Sequence, residues 1–249
     1  MRGGIQCLPD ALAGRLEEGV VRTNCRVTDV DLREKTVRVA GLGEVHYDRL
    51  VNTLPLSSFL DMIGALPAPV RDARRRLRWT TVWNLNLGVA RRAVTDKHWI
   101  YFPEKKFPFY RVGSSSNFSS SVAPAGHSAL YVEVARPQGA RVDKARLEED
   151  ILGGLRECGL LRRTDELSAR IWMPIEVGYV VYDFARTPSV KTIFRHLDGL
   201  CVESIGRYGA WKYSFMEETL LDGKRCAERL AGVASSSVAV EDGELRVLK

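Results

Sequence analysis

The sequence lacks a hydrophobic run long enough to cross a membrane. A spanning helix needs about 20 consecutive apolar residues, whereas polar or charged side chains interrupt every apolar stretch of this 249-residue chain. The first residues, Met1-Arg2-Gly3-Gly4, also lead directly into a predicted short amphipathic helix, without the apolar segment of a signal peptide. We therefore predict a cytoplasmic protein without a membrane span.

Cysteine and histidine are too few and too scattered to form a recognisable site. The odd number of cysteines matches neither a zinc spacing nor a disulfide framework, and the histidines have no metal-binding partner at a suitable spacing. We predict no metal site. Asp183 is the best isolated candidate for a functional carboxylate, and its simpler expected role is to cap a turn or helix near Thr187 and Pro188. The residues considered are Cys7, Cys25, Cys158, Cys201, Cys226, His46, His98, His127 and His196.

The positive charge is modest and shows no nucleic-acid signature. The formal net charge is +6, and the densest basic cluster, residues 71–78, falls on a predicted helix where it reads most simply as a solvated face. No motif of alternating aromatic and basic residues accompanies the cluster. We predict no binding of nucleic acid, although a positive face could attract an anionic nucleotide.

Hydrophobic patterning predicts a mixture of helices and strands. The first part of the chain shows a helix over Asp10–Glu18, alternating strand patterns at Val20–Asp31 and Thr36–Val39, a glycine turn at 41–43, and a returning strand at 50–53. The middle part shows strands over 82–89, 99–102, 109–112, 129–135 and 168–173, helices over 70–77, 143–158 and 188–197, and serine-rich loops at 114–121 and 235–237.

The most informative stretch is residues 200–227. Leu200, Cys201 and Val202 suit a strand, the glycines at 206 and 209 suit a close turn, and the following helix opens with two acidic residues. A helix N-terminus offers unpaired backbone N–H groups and partial positive charge, which suit a phosphate or an electron-rich ring edge. The alternative is an ordinary strand-loop-helix connection.

The phrase Gly206-Arg207-Tyr208-Gly209-Ala210-Trp211-Lys212-Tyr213-Ser214-Phe215-Met216 resembles the C-terminal FAD-contacting motif of the flavin-dependent amine oxidase superfamily. It is most similar to members of the UDP-galactopyranose mutase and protoporphyrinogen oxidase type. Two other stretches agree in order: residues 3–12 resemble the family's glycine pair and helix, and residues 48–56 resemble its strand returning towards the cofactor.

The resemblance implies FAD as the cofactor, with flavin N5 as the reactive centre and no catalytic side chain. It implies cofactor contacts at Gly3, Gly4, Val27, Gly206, Arg207, Trp211 and Met216. Val27 also reads simply as a core strand residue, whether or not FAD binds.

The resemblance also implies substrate contacts at Tyr110, Arg111, Tyr179 and Tyr213. Tyrosine rings and an arginine suit a nucleotide sugar, and the alternative is aromatic packing within a sheet. Two positions depart from the mutase pattern: Val180 replaces a proline, and Phe215 stands where an acidic residue is usual. These departures leave an amine and a nucleotide sugar both open as substrates.

The resulting prediction is an α/β (α+β) fold. Residues 1–57 and 198–234 form a partial FAD-binding Rossmann-like domain, residues 58–197 an inserted substrate domain of antiparallel sheet plus helices, and residues 235–249 a tail. The Gly-x-Gly-x-x-Gly unit of the family is missing from the sequence.

The function implied is an FAD-dependent oxidoreductase of the amine oxidase superfamily, represented by its C-terminal portion. The alternatives are a mutase-like isomerase acting on a nucleotide sugar, or a truncated noncatalytic remnant that binds a nucleotide or a partner. Because the returning strands lack neighbours, we also expect association through the surface left by the missing unit.

Overall fold

The computed structural model describes residues 4–232, so Gly3 and the predicted tail lie outside the described residues. The described part contains helices and strands in a mixed order, which confirms the predicted α/β class. The α-helices are α1 Cys7–Ala13, α2 Leu56–Asp61, α3 Ala68–Arg76, α4 Ser115–Phe118, α5 Lys144–Glu157, α6 Arg186–Asp198, α7 Gly206–Gly209 and α8 Met216–Leu230. The strands are β1 Val27–Asp31, β2 Thr36–Val39, β3 Gly43–His46, β4 Leu50–Asn52, β5 Trp79–Val89, β6 Trp99–Tyr101, β7 Arg111–Ser114, β8 Ser128–Pro137, β9 Leu167–Val180 and β10 Val202–Ser204.

The chain divides into two compact units. Unit 1 comprises residues 4–22 and Trp79–Tyr179, and unit 2 comprises Thr23–Arg78 and residues 180–232.

Unit 1 is built on a five-stranded sheet with the order β6-β7-β8-β5-β9. The pairs β6 with β7, β7 with β8 and β8 with β5 are antiparallel. One face of the sheet, including Leu85 and Val132, packs against α5 to form the core of the unit. Helix α5 begins at Asp143, whose carboxylate accepts hydrogen bonds from the backbone N–H groups of Ala145 and Arg146. This helix was predicted correctly from its apolar spacing.

Unit 2 contains two small sheets. Strands β1, β2 and β3 form an antiparallel meander, with the predicted glycine turn joining β2 to β3. Strands β4 and β10 form a parallel pair. Helix α3 packs against α6, and Asp183 Oδ1 accepts hydrogen bonds from the backbone N–H groups of Ala185 and Arg186 ahead of α6. The expected capping role of Asp183 is therefore confirmed.

Several predicted boundaries were wrong because the backbone leaves the regular conformation there. The strand predicted from Val20 begins at Val27, since Asn24 has a φ of 58°. The strand predicted from Leu200 begins at Val202, since Cys201 has a φ of 60°. The helix predicted over Asp10–Glu18 is instead α1, which ends at Ala13 with Gly14 as its C-cap and buries none of its residues.

Other elements were absent from the prediction or were predicted too short, because local propensity is a weak signal for them. Helix α2 has only six residues, yet Leu56, Phe59 and Leu60 are buried. Part of the serine-rich loop is helical as α4, where Asn117 Nδ2 donates to the carbonyl groups of Thr95 and Lys97. Strand β9 continues to Val180, well beyond the predicted end at residue 173. No helix within residues 4–232 has both the length and the apolar character needed to cross a bilayer.

Candidate functional site

The turn after β10 requires glycine at two positions, for different reasons. Gly206 begins α7 with a φ of 76°, a conformation in which a side chain is strained. Gly209 ends α7, and a Cβ atom there would lie 2.6 Å from the carbonyl oxygen of Asn52. Any residue other than glycine at position 209 would therefore push the turn away from the end of β4.

A small hydrogen-bond network fixes this turn to the parallel strands. Asn52 Nδ2 donates to Ser204 Oγ at 2.8 Å, and Ser204 Oγ donates to the Gly209 carbonyl at 2.8 Å. Asn52 Oδ1 also accepts from the backbone N–H of Leu54 at 3.0 Å. Asn52 and Ser204 were not predicted from the sequence, although polar residues at the carboxyl ends of parallel strands are a usual feature of ligand sites in α/β sheets.

The segment between α7 and α8 is held by two arginines. Arg186 Nε and Nη2 donate to the carbonyl of Trp211 at 3.0 and 2.5 Å. Arg207 Nη1 donates to the carbonyl of Ser214 at 2.6 Å, and its guanidinium lies 5.1 Å from the centre of the Tyr213 ring. The Trp211 side chain is fully buried. These bonds place the backbone of the segment immediately before α8.

The N-terminus of α8 has no side-chain cap. The N-cap residue is Phe215, in an extended conformation, and no side chain of the described residues caps the first turn from that position. Met216 is 56% exposed at the start of the helix. Glu218 in the first turn pairs with Lys212 at 2.7 Å. The N-cap side chain therefore occupies none of the N-terminal N–H groups of α8, which lie at the positive end of the helix dipole together with the acidic Glu217 and Glu218.

Lys212 ties the same segment to the body of α8. Its ammonium group lies 2.7 Å from Glu218 and 3.0 Å from Asp222, and all three side chains are largely shielded from solvent. Burial opposes the charge of Lys212, but the two carboxylates outweigh it and raise its pKa. These two ion pairs join the segment before α8 to the first two turns of the helix.

Exposed aromatic side chains flank the start of α8. Tyr213 and Phe215 are more than half exposed, and so is Tyr182. The Tyr182 hydroxyl accepts a hydrogen bond from the backbone N–H of Tyr213 at 2.8 Å, and the Arg186 guanidinium lies 4.2 Å from the Tyr182 ring centre. The Tyr182 ring is thus held at its hydroxyl and against Arg186, beside the exposed rings of Tyr213 and Phe215.

Unit 2 also contains a cavity of about 770 Å³, with mostly apolar walls. Val27, the β1 residue predicted to contact the cofactor, lies on its wall with Val51 of β4 and Phe59 of α2. A volume of this size is in the range of small-molecule and cofactor sites. The lining residues are Cys25, Arg26, Val27, Thr28, Val30, Val37, Leu50, Val51, Asn52, Thr53, Leu54, Ser58, Phe59, Asp61 and Met62.

One edge of β4 is open beside this cavity. The backbone N–H of Leu50 donates to the Cys201 carbonyl, and the Asn52 carbonyl accepts from Ile205 N–H, so both residues face β10. The N–H and C=O groups of Val51 therefore point to the other edge. Within the described part of the chain, no further strand pairs along that edge.

The predicted substrate residues Tyr110, Arg111 and Tyr179 lie in unit 1, whereas Tyr213 lies in unit 2. Tyr110 and Arg111 both converge on Glu133 of β8. The Tyr110 hydroxyl donates to Glu133 Oε2 at 2.5 Å, and Arg111 Nη2 lies 2.6 Å from the same oxygen. Glu133 was not predicted from the sequence, because no local pattern pairs it with Arg111 across a separation of 22 residues.

This cluster is a compensated, largely buried charge pair. Burial and the nearby Glu133 carboxylate raise the pKa of the Tyr110 hydroxyl, and Tyr179 adds to the effect. Burial also opposes the charge of Arg111, but its hydrogen bonds to Glu133 and Tyr101 raise its pKa. Tyr110 is therefore a neutral hydroxyl and Arg111 a cation throughout the physiological pH range.

Gly4, the remaining predicted cofactor residue, has a φ of 75° and lies in unit 1 near Val122. Helix α1 behind it has only seven residues. The structure brings together Gly206, Arg207, Trp211, Tyr213 and Met216 in unit 2, with Val27 in the same unit at the cavity wall.

Comparison with known proteins assigns the family. Residues 1–231 match the family described as flavin containing amine oxidoreductase. A reduced UDP-galactopyranose mutase superposes with a TM-score of 0.76 and 26% identity, over 84% of this chain and 46% of that one.

Two further solved structures share the fold at 14% identity. A putative protoporphyrinogen oxidase from Exiguobacterium sp. 255-15 gives a TM-score of 0.71, over 91% of this chain and 51% of that one. A CLA-producing fatty acid isomerase from P. acnes gives 0.64, over 90% and 51%. The chain thus spans about half the length of each of these structures. The predicted resemblance is confirmed: this chain belongs to the family of flavin-containing amine oxidoreductases.

Proposed function

We propose that this chain supplies part of the FAD site of an FAD-dependent oxidoreductase. FAD is the cofactor of the family to which the chain belongs. The observation that carries the proposal is the uncapped N-terminus of α8, placed directly after the glycine turn that follows β10. The N–H groups at the helix end can donate to an anionic or electron-rich group, and the glycine turn lets the backbone approach that group closely.

The donor set of unit 2 fits a flavin. Gly206 supplies the left-handed turn, Arg207 holds the backbone before α8, and the N–H groups at Met216 face outward from a helix end with partial positive charge. Such donors suit the electron-rich pyrimidine edge of a flavin and stabilise negative charge there. Val27 would contact the cofactor from the cavity wall. The buried Trp211 would act by supporting the segment.

When bound, FAD supplies an electron and hydride acceptor at its N5 atom. The residues of this chain bind and orient. Lys212 and Arg207 fix the segment before α8, so the helix N-terminus is preorganised and needs no rearrangement when negative charge develops. Gly4, and Gly3 outside the described residues, would contribute from the N-terminal end. No side chain is assigned as an acid, a base or a nucleophile.

We propose that Tyr110, Arg111, Tyr179 and Tyr213 contact the substrate, which is an amine or a nucleotide sugar. A mutase-like isomerase is the second candidate function, and the 26% identity to UDP-galactopyranose mutase favours it. We also propose that residues 1–57 and 198–234 form the part that binds the cofactor, and that residues 58–197 form the part that binds the substrate.

The open edge of β4 supports a third element of the proposal. A parallel sheet is normally buried on both faces and has more than two strands, yet within residues 4–232 β4 has a partner on one edge only. Exposed Val51 and Leu54 lie beside that edge. We propose that a further strand, carried by a βαβ unit, pairs with β4. If no such βαβ unit joins this chain, the chain would bind a partner without catalysing a reaction.

The visible absorbance spectrum of the purified chain tests the flavin proposal. The chain is measured as isolated, and again after incubation with FAD and desalting. Retained flavin absorbance is the expected result, and a colourless protein would contradict an autonomous flavin site. Gly206→Ala should lower retention, because alanine is strained at a φ of 76°. Gly223→Ala is the matched control, since its added Cβ meets no atom within 4 Å in α8.

A further inference from the structure

Helix α3 and the two residues after it concentrate the positive charge of the chain. Residues 71–78 hold five arginines and one aspartate, a net charge of +4, against +6 for the whole chain. Helices α5 and α8, by contrast, mix acidic and basic residues along their lengths. The proposed flavin site uses none of these arginines, so it does not account for their charge. They are Arg71, Arg74, Arg75, Arg76 and Arg78.

Most of these arginines are exposed and lack a close anionic partner. Within residues 4–232, only Arg74 forms a close ion pair, with Asp61 at 2.5 Å. Arg75 lies 3.5 Å from Asp72, and both side chains are more than half exposed. The other three are exposed, and no acidic group of the described chain lies within ion-pair distance of them: Arg71, Arg76 and Arg78. Their guanidinium groups can therefore bind phosphate groups from outside the chain.

The like charges destabilise the helices that carry them. Arg71 and Arg75 are four positions apart on α3, where two cations repel each other across one turn. Helix α6, which packs against α3, repeats this spacing with the exposed Lys191 and Arg195. A negatively charged surface would relieve this repulsion, whereas water and salt only screen it.

A fully exposed phenylalanine lies near the C-terminal end of α3. The backbone N–H of Val181 donates to the carbonyl of Arg78 at 2.9 Å, and Phe184 follows three residues later. Phe184 is 104% exposed. Its neighbours hold the loop in place, because Asp183 caps α6 and the Tyr182 hydroxyl accepts from a backbone N–H group. An apolar ring beside a basic cluster is typical of proteins that lie in the headgroup layer of a membrane.

The separation of the aromatic ring from the arginines favours a lipid surface over other anionic partners. Proteins that bind single-stranded nucleic acid place aromatic rings along a basic groove so that successive bases stack on them, and residues 71–78 contain no aromatic residue. An acidic protein would match the charge but would give no role to Phe184. Anionic headgroups attract clustered arginines, and an aromatic ring can enter the boundary between headgroups and acyl chains.

We propose that residues 71–78, with Lys191, Arg195 and Phe184, form a docking surface for a membrane that contains anionic lipids. The arginines bind the phosphate groups of the headgroups, and Phe184 enters the boundary with the acyl chains. Unit 2 then lies on the bilayer surface. This docking surface shares no residue with the proposed flavin site, so either proposal can fail without the other.

Sedimentation of the full chain with lipid vesicles tests the docking surface. One set of vesicles is pure phosphatidylcholine, and the other contains about one third phosphatidylglycerol. We expect the wild type to bind the anionic vesicles and not the neutral ones. The bound protein should dissociate when the salt concentration rises from about 50 mM to about 300 mM, because salt screens the attraction between exposed charges.

Arg71→Gln combined with Arg76→Gln should weaken binding to the anionic vesicles about 25-fold, since each basic residue near such a surface contributes about fivefold. Arg146→Gln combined with Arg156→Gln is the matched control, because it removes the same charge from exposed positions of α5. This control should bind almost like the wild type.

Phe184→Ser should weaken binding about tenfold, because the aromatic ring no longer leaves water. Leu42→Ser is its control, since Leu42 is 53% exposed at the turn between β2 and β3. Asp72→Asn separates binding from folding. It removes the one acid of the segment, whose side chain is 55% exposed, and should strengthen binding about fivefold, a gain that misfolding would not produce.

Three results would overturn the docking surface: no binding to the anionic vesicles, equal binding to the neutral vesicles, or unchanged binding in the double arginine variant or in Phe184→Ser. The competitors are a DNA oligonucleotide and polyglutamate, measured at the same salt concentration. Tighter binding of either competitor than of the vesicles would also overturn it, and would assign the arginines to a nucleic acid or to an acidic protein.

Discussion

Adding one methyl group at Gly209 should destabilise unit 2 far more than adding one at a glycine of α8. The new Cβ would lie 2.6 Å from the Asn52 carbonyl oxygen and 3.1 Å from Ser204 Oγ, so ordinary contact at 3.4 Å requires a backbone shift of about 0.8 Å. Such overpacking costs about 1–3 kcal/mol. The shift also strains the Ser204 to Gly209 hydrogen bond, which contributes about 1 kcal/mol.

The lower entropy of an unfolded alanine chain offsets about 0.4–1 kcal/mol of this cost. We therefore expect Gly209→Ala to lower the free energy of unfolding by about 1–3.5 kcal/mol, as measured by urea denaturation with far-UV circular dichroism. Gly223→Ala, in open space on α8, should raise it by about 0.5–1 kcal/mol. Equal stability of Gly209→Ala and the wild type would refute the close approach of α7 to β4.

Three further changes test other parts of the structure. Asp165→Asn removes a carboxylate that is 5% exposed and forms a two-pronged pair with Arg91, so it should cost about 2–3 kcal/mol by urea denaturation. The hydrogen bonds from Arg91 lower the pKa of Asp165, so this stability is present above the unfolded pKa of about 3.9 and is lost as pH falls further. The difference between wild type and variant should therefore shrink below about pH 4, and a constant difference would contradict the ion pair. Lys212→Met leaves the shielded carboxylates of Glu218 and Asp222 without their cation. The substitution should lower the free energy of unfolding by about 2–3 kcal/mol, measured as a lower urea midpoint. An unchanged midpoint would show that these ion pairs are solvated. Gly113→Ala should displace the Tyr131 ring, which lies across the glycine position, and alter the near-UV circular dichroism spectrum, and an unaltered spectrum would contradict the ring placement.

The sequence predicts those helices and turns whose own residues show the apolar spacing, the cap or the glycines that define them. Helix α5 has both an apolar stripe and an N-cap at Asp143, so its bounds were found almost to the residue. The turn between β2 and β3 was found because glycines stand at 41 and 43, both with positive φ in the structure. Left-handed residues such as Asn24 and Cys201 give no comparable signal, and the strand ends that they determine were misplaced.

The same distinction, between features with a local sequence signal and features without one, applies to the candidate site. The glycine turn and α8 lie within one short segment, so their order could be predicted locally. The partners of that segment come from elsewhere: Asn52 bonds Ser204 across a separation of 152 residues. Likewise, Glu133 joins Arg111 only through strand register. Register is set by packing across the whole sheet, and no local pattern reports it.

The discontinuity of unit 2 has a consequence for the order of folding during synthesis. All five strands of the unit 1 sheet lie between residues 79 and 180, so this sheet can form as soon as that stretch has left the ribosome. Strand β4 must wait much longer, because its partner β10 begins only at Val202. Contacts between such distant parts of a chain form slowly. During that interval the edge of β4 that β10 will occupy stays unpaired and exposed to pairing with other chains.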